Sequence, residues 1–186
     1  GKLLQDHVVK AEILLHGSFA TTGIGHGTDK ALIAGLLGMR PDDIRIPDSF
    51  FLAKKDGMEF SFSTITLKDA HPNTAVLRLT GEHGRKIEVQ AASIGGGRIL
   101  IAKLDGIEVN FSAEKPTLIV HNVDQPGHVA QVTSMLAEKQ VNIATLQLYR
   151  DKRGGYAVMV IETDQEVPEE SVAWLEQLDG IIKVTY

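Results

Sequence analysis

The 186-residue sequence contains no cysteine. A disulfide framework is therefore excluded, and this chain has no thiolate with which to hold zinc or an iron-sulfur cluster. It also lacks any run of Lys or Arg. With 19 basic residues against 24 acidic ones and a net charge of −5, a sequence-independent grip on nucleic acid is not expected. No apolar run approaches the ~20 residues of a membrane-spanning helix, and the opening GKLLQDHVVKAEI has neither the apolar core nor the small-residue cleavage site of a secretory signal. These absences imply a cytoplasmic protein with neither membrane nor nucleic acid as a partner. Two nucleotide signatures are missing as well. Gly23, Gly25 and Gly27 are spaced G-x-G-x-G, with Thr28 where the dinucleotide fingerprint needs glycine, and no G-x-x-x-x-G-K-[ST] occurs. Asn110-Phe111-Ser112 fits a glycosylation acceptor, but so short a pattern recurs by chance and nothing else points to secretion.

Residues 117–161 organise the rest of the chain. An apolar run at 118–120, a breaker cluster at 124–127, and Val129, Val132 and Leu136 at helical spacing read as strand, tight turn and helix. Apolar runs at 143–149 and 156–161, separated by the glycine-bearing stretch 150–155, read as a strand pair. Pro168 suits a first helical turn, Val172, Leu175 and Leu178 share a face, Gly180 ends that helix, and 181–186 closes with a strand. The order β-α-β-β-α-β is the split arrangement of a ferredoxin-like sandwich.

Upstream, residues 8–15 form an apolar strand that runs into HGSFATTGIGHGTDKALIAGLLG, a glycine-punctuated polar loop followed by a helix that stops at Gly38. Thr28 or Asp29 is a natural N-cap for that helix. Two readings of the loop stand: a plain strand-to-helix turn, or a cradle of backbone N–H groups for a carboxylate or other small anion. Residues 42–51 form a Pro-broken connector, and strands follow at 58–67, 74–79, 85–93, 98–104 and 107–111, the last pair joined by the hairpin signal Asp105-Gly106. The polar, Pro-ended segment 112–116 divides the chain into domains 1–112 and 116–186. The fold class is thus α/β (α+β), with an N-terminal mixed α/β substrate-contact domain and a C-terminal ferredoxin-like βαββαβ domain. His7, His121 and His128 read as scattered surface residues, and the acidic positions between 162 and 170 as a solvated face.

HNVDQPGHVAQVTSMLAEKQVNIATLQL, with Asp124, Pro126 and Gly127 at the first turn, resembles the ACT domain, an amino-acid-binding module, and within it the serine-binding domain of phosphoglycerate dehydrogenase. The resemblance implies an effector site at Asn122, Asp124, Gly127 and Asn142, which would take L-serine or another small amino acid, and a homodimer formed through this domain. Asp124 would receive the ammonium, and Asn122, Asn142 and the helix N-terminus the carboxylate. The segments HGSFATTGIGHGTDKA, HPNTAVLRL and SIGGGRI resemble the β chain of bacterial iron-sulfur-dependent L-serine dehydratase, whose N-terminal part is an allosteric-substrate-binding-like domain. That resemblance implies loss of water from L-serine to an enamine, which yields pyruvate and ammonia, with a [4Fe-4S] cluster carried by a partner α subunit and none bound by this chain. It places His26 at the shared active site as a proton carrier, with Thr28 and Asp29 orienting it or capping the helix. Ser18, Gly25, Gly27, Gly95 and Gly96 would then approach the substrate through backbone. Family members begin with a Ser-Ser-His-Thr segment that has no counterpart here. Two other functions fit the residues: a purely regulatory amino-acid-binding module, and a C-terminal regulatory part of a phosphoglycerate dehydrogenase.

Overall fold

The computed structural model describes residues 2–112 and 114–186. Its most compact division falls after Gly106, giving units Gly1–Gly106 and Ile107–Tyr186. The first unit runs β1 (Val8–Leu15), α1 (Ser18–Thr22), α2 (Thr28–Leu36), a 3-10 turn at Ile46–Asp48, α3 (Ser49–Lys55), β2 (Glu59–Thr64), β3 (Thr74–Gly81), β4 (Lys86–Gly95) and β5 (Arg98–Leu104). The next strand, β6 (Ile107–Phe111), ends a sheet of order β2-β1-β3-β4-β5-β6. Strand β1 is parallel to β2 and antiparallel to β3. A parallel neighbour requires a crossover, and the crossover here carries all three helices of the unit.

Register gives the sheet its two faces. Glu12 stands opposite Arg78 and Arg78 opposite Glu88, with Arg78 Nε donating to Glu88 at 2.7 Å. One residue along, Ile13, Leu77 and Val89 stand opposite one another. The first set is polar and solvated. In the second set Ile13 and Val89 are buried, as are Ile33 and Ala34 of α2 and Ala53 of α3. Side chains alternate across a strand, so helices α2 and α3 cover only the apolar face.

The connector expected at 42–51 is instead the entry to a helix. Pro47 sits in the first positions of the 3-10 turn, where its missing N–H costs nothing. Ser49 then opens α3 with its Oγ donating to the Lys30 carbonyl at 2.9 Å, which ties α3 to α2. The Phe50 ring packs on Phe60 and Phe62 of β2 at centroid distances of 5.0 and 5.9 Å. A short helix also replaces the first part of the expected glycine loop, at Ser18–Thr22.

The second unit continues with β7 (Thr117–Val123), α4 (His128–Glu138), β8 (Ile143–Arg150), β9 (Tyr156–Thr163), α5 (Glu169–Leu175) and β10 (Ile181–Thr185). Its sheet has the order β10-β7-β9-β8, the βαββαβ arrangement expected from the sequence. Leu118, Val120, Met159, Ile161 and Val184 of the sheet form one core with Val132 and Leu136 of α4 and Leu175 of α5. The helical positions are spaced to share one face.

Candidate functional site

The turn before β3 is bonded through its backbone to two other segments, the glycine-rich one after β1 and the end of β4. The His16 N–H donates to the Thr74 carbonyl at 2.9 Å, the Ser18 N–H to the Pro72 carbonyl at 2.8 Å, and the Ser93 N–H to the Asn73 carbonyl at 2.9 Å. Gly17, at φ 58, lies against Pro72 so closely that a Cβ would stand 2.5 Å from the Pro72 oxygen. HGSFATT, HPNT and SIGGG thus meet at one end of the sheet. Three strand ends (β1, β3 and β4) place them there.

His26 lies in the exposed turn between α1 and α2. Its Nδ1 is 3.0 Å from the Thr22 carbonyl. A carbonyl only accepts, so the neutral ring carries its proton on Nδ1 and presents Nε2 as a lone pair to solvent. The N–H groups of Gly23, His26, Gly27 and Thr28 all bond to carbonyls within the 19–24 turn. The expected anion cradle is therefore reduced, because these donors already close the turn on itself. The N-cap of α2 is Gly27, in the left-handed region at φ 73, rather than Thr28 or Asp29. Thr28 is the first helical residue, and Asp29 Oδ1 accepts from the next N–H, that of Lys30, at 2.8 Å. Glycine adopts this left-handed conformation without the Cβ penalty that other residues meet there.

Ser18 opens α1 with its backbone N–H already engaged by Pro72, and Gly25 is exposed beside His26. Gly95 and Gly96 form the open tip of the β4–β5 hairpin, at φ 89 and 62, two residues beyond the Ser93 bond. His16 and His71 border the same junction. Leu67 N–H donates to His16 Nδ1 at 3.2 Å, and Asn73 N–H donates to His71 Nδ1 at 3.1 Å. The His71 ring therefore carries its neutral proton on Nε2, the opposite tautomer to His26, whereas His16 Nδ1 also lies 3.3 Å from the Ile65 carbonyl. The signal available in the sequence is the His-Pro-Asn triplet that opens HPNTAVLRL.

In the second unit the proposed effector residues divide into two groups. Asn122, at the end of β7, is 3 % exposed; its Nδ2 donates to the Val123 carbonyl at 2.7 Å and its Oδ1 is buried without a partner. Asp124 Oδ2 accepts from the Gly154 N–H at 2.9 Å and lies 3.4 Å from Arg150 Nη1, so this carboxylate already ties the β7–α4 turn to the β8–β9 hairpin. Gly127, at φ 108, is the N-cap of α4 with open space around its Cα. Asn142 lies elsewhere: its Nδ2 donates to Asp164 and its N–H to Gln165, both at 2.7 Å. Asn122 is level with Ala157 of β9, whereas Ile143, next to Asn142, is level with Thr163. Six residues at a strand rise of about 3.3 Å separate the two groups by roughly 20 Å. His128, expected at the surface, is buried instead. Its ring packs on Gly180, where a Cβ would stand 2.6 Å from Nε2.

Among the described residues no group of three or more His, Cys, Asp or Glu side chains is placed to hold a metal ion, and no helix is long and apolar enough to cross a membrane.

Comparison with known proteins matches two family models, "Serine dehydratase beta chain" over residues 2–55 and "ACT domain" over residues 116–180. The chain is 36% identical over 168 residues to the L-serine dehydratase, beta chain, of Peptoniphilus asaccharolyticus, covering 90% of this chain and 76% of that one. It is 36% identical over 173 residues to the probable L-serine dehydratase, beta chain, of Bacillus subtilis (strain 168), covering 93% and 78%. Similarity to the D-3-phosphoglycerate dehydrogenase of Methanocaldococcus jannaschii is weaker, 27% over 184 residues, and reaches only 34% of that protein. The three sequence segments that meet after β1, the βαββαβ unit that follows, and relatives matched over three quarters of their own length agree: the chain belongs to the L-serine dehydratase β-chain family.

Proposed function

We propose that this chain acts as the β subunit of an L-serine dehydratase, working with an α subunit to convert L-serine into pyruvate and ammonia in the cytoplasm. The observation that carries the reading is His26: an exposed imidazole whose Nδ1 is held by the Thr22 carbonyl and whose Nε2 lone pair is free. Imidazole is the side chain most often used for proton transfer near neutral pH. Such a group takes the Cα proton as the Cα–H electron pair forms the Cα=Cβ double bond and the Cβ–O bond breaks, and delivers that proton to the departing hydroxide, which leaves as water. The product enamine tautomerises to an imine, and hydrolysis gives pyruvate and ammonia. The Gly25 and Gly27 backbone leaves room for substrate beside the ring, while the Gly17–Pro72 junction fixes the base of the turn.

An iron-sulfur cluster does not fit this chain, which has no cysteine and, among its described residues, no cluster of candidate ligands. It is assigned to the α subunit, and the isolated β chain is expected to be inactive. The effector reading for the ACT unit needs a second copy. With Asn142 about 20 Å from Asn122 along the sheet, a small amino acid is contacted by both only if two domains pair. Co-purification supplies the test. The chain expressed with its partner should elute with a cysteine-bearing subunit, contain iron and dehydrate serine; alone, after anaerobic reconstitution, it should do neither. Iron uptake and turnover by the isolated chain would refute the division of labour.

A further inference from the structure

The helical side of the second unit holds a cleft that none of these roles uses. It lies between α4 and α5 and measures about 620 Å³, within the range of small-molecule sites. The cleft exists because α4 presents small residues, Ser134 among them, where α5 passes, so the two helices do not close over each other. Met135 is 5 % exposed within it, and Trp174 is 45 % exposed. Val132, Leu136 and Leu175 on the same helices are fully enclosed, whereas Trp174 is one of the large apolar side chains that the core leaves uncovered. Ser171 also lines the cleft. It is 2 % exposed, and its buried Oγ has no hydrogen-bond partner. An orphaned buried hydroxyl is costly, and a ligand atom that satisfies it gains that cost back.

The rim carries charge of both signs. Lys139 Nζ lies 3.3 Å from Glu170 Oε1, with the Glu138 carboxylate also at the edge. Both partners are well exposed, so their mutual attraction is weak in water and either is available to a ligand. A ligand suited to this cleft carries a carboxylate for Lys139, an ammonium for Glu170 or Glu138, and an apolar group to cover Trp174 and Met135. We propose that the α4–α5 cleft is a binding site for a zwitterionic amino acid with an aromatic or large aliphatic side chain. It is separate from the turn at Asp124 and Gly127, and it disfavours serine, whose side chain would leave the apolar wall wet.

Trp174 is the single tryptophan of the chain, so its emission reports on this cleft alone. Titrating the full chain with L-phenylalanine or L-leucine should give a saturable change in Trp174 emission with a midpoint of about 1 mM or tighter. L-Serine and the uncharged N-acetyl-phenylalanine amide should give none. Lys139→Gln and Ser134→Leu change exposed positions, and each should weaken the response about tenfold while the circular dichroism spectrum stays native. An absent response would overturn the proposal, as would one that both variants leave intact. So would an emission change on protein dilution without ligand, which would mean that a second copy fills the cleft.

Discussion

Replacing Gly17 by alanine probes whether the junction of the three loops is held by shape or merely happens to lie there. Two costs are separable. At φ 58 an alanine sits in the left-handed region, which disfavours an L side chain by about 1–2 kcal/mol, partly offset by the reduced freedom of the unfolded chain. The second cost is steric: the added Cβ would meet Pro72 O at 2.5 Å and Pro72 Cα at 2.8 Å. These are backbone atoms, so nothing flexible can swing away. Overpacking of this kind typically costs about 1–3 kcal/mol. Gly38 isolates the first cost, because it has φ 79 and open space where its Cβ would be.

Gly38→Ala should therefore lose about 1 kcal/mol and Gly17→Ala about 2–4 kcal/mol. The assay is equilibrium unfolding in urea followed by circular dichroism. With a slope of about 1.5 kcal/mol per molar urea, the Gly17→Ala midpoint should fall by roughly 1–3 M and the Gly38→Ala midpoint by less than 1 M. In the assembled enzyme Gly17→Ala should also depress turnover, because the junction supports the turn that carries His26. Equal midpoints for the two variants would refute the steric argument, since only one of the two meets a neighbour.

His26→Ala in the assembled enzyme should lower kcat by about 10²–10⁴-fold with little change in KM, and unaltered turnover in a fully assembled variant would remove the proton-carrier role. The His83–Asp6 pair sets a pH window. The hydrogen bond to Asp6 raises the pKa of His83, assisted by the Asp6 charge and by Glu82 and opposed by desolvation and Arg85, while the same bond lowers that of Asp6. A raised histidine stabilises fully below its ordinary value and a lowered aspartate above its own, so the pair contributes fully between about pH 4 and 6.5. The contribution should fade as pH rises through the raised His83 value and as it falls through the lowered Asp6 value. The thermal midpoint difference between wild type and His83→Ala should therefore be largest inside that window and vanish well above it; a difference independent of pH would sink the assignment. Asp124→Ala should weaken any small-amino-acid response of the ACT unit by roughly 1.5–3 kcal/mol. Because Oδ2 already accepts the Gly154 N–H, it should also loosen the β8–β9 hairpin, which hydrogen exchange at Gly154 would register.

What the sequence disclosed, and what it did not, follows from the range over which each signal acts. Val129, Val132 and Leu136 announce a helix because periodicity is local, and Asp105-Gly106 announces a hairpin because a two-residue turn carries its own chemistry. The α3 helix was hidden for the same reason inverted: Pro47 reads locally as a breaker, and only the Ser49 bond to Lys30 and the Phe50 stack on β2 reveal that it begins a helix. Caps fail similarly. Thr28 and Asp29 are good caps by residue type, but the close turn through Gly23 puts Gly27 at the position that needs a positive φ.

Tertiary proximity is the longest-range property, and there the losses concentrate. The segment of His71 could not be joined to that of His16 from spacing, because their bonds depend on β1 pairing with β3 as well as with β2. His128 looked like a surface residue because its burial depends on Gly180, which arrives at the far end of the unit. The same reasoning bears on the effector site. Asn122 and Asn142 flank one helix in sequence, and the ACT resemblance groups them in one effector site. The sheet order β10-β7-β9-β8 puts β9 between their strands and sends them to opposite ends of it. One domain can therefore offer a small amino acid either the α4 N-terminus with Asn122 and Asp124, or Asn142, but not both. If a single ligand is to touch all of them, a second copy must bring its own Asn142 end to the first copy's turn, and binding must then weaken as the protein is diluted below its dimerisation constant.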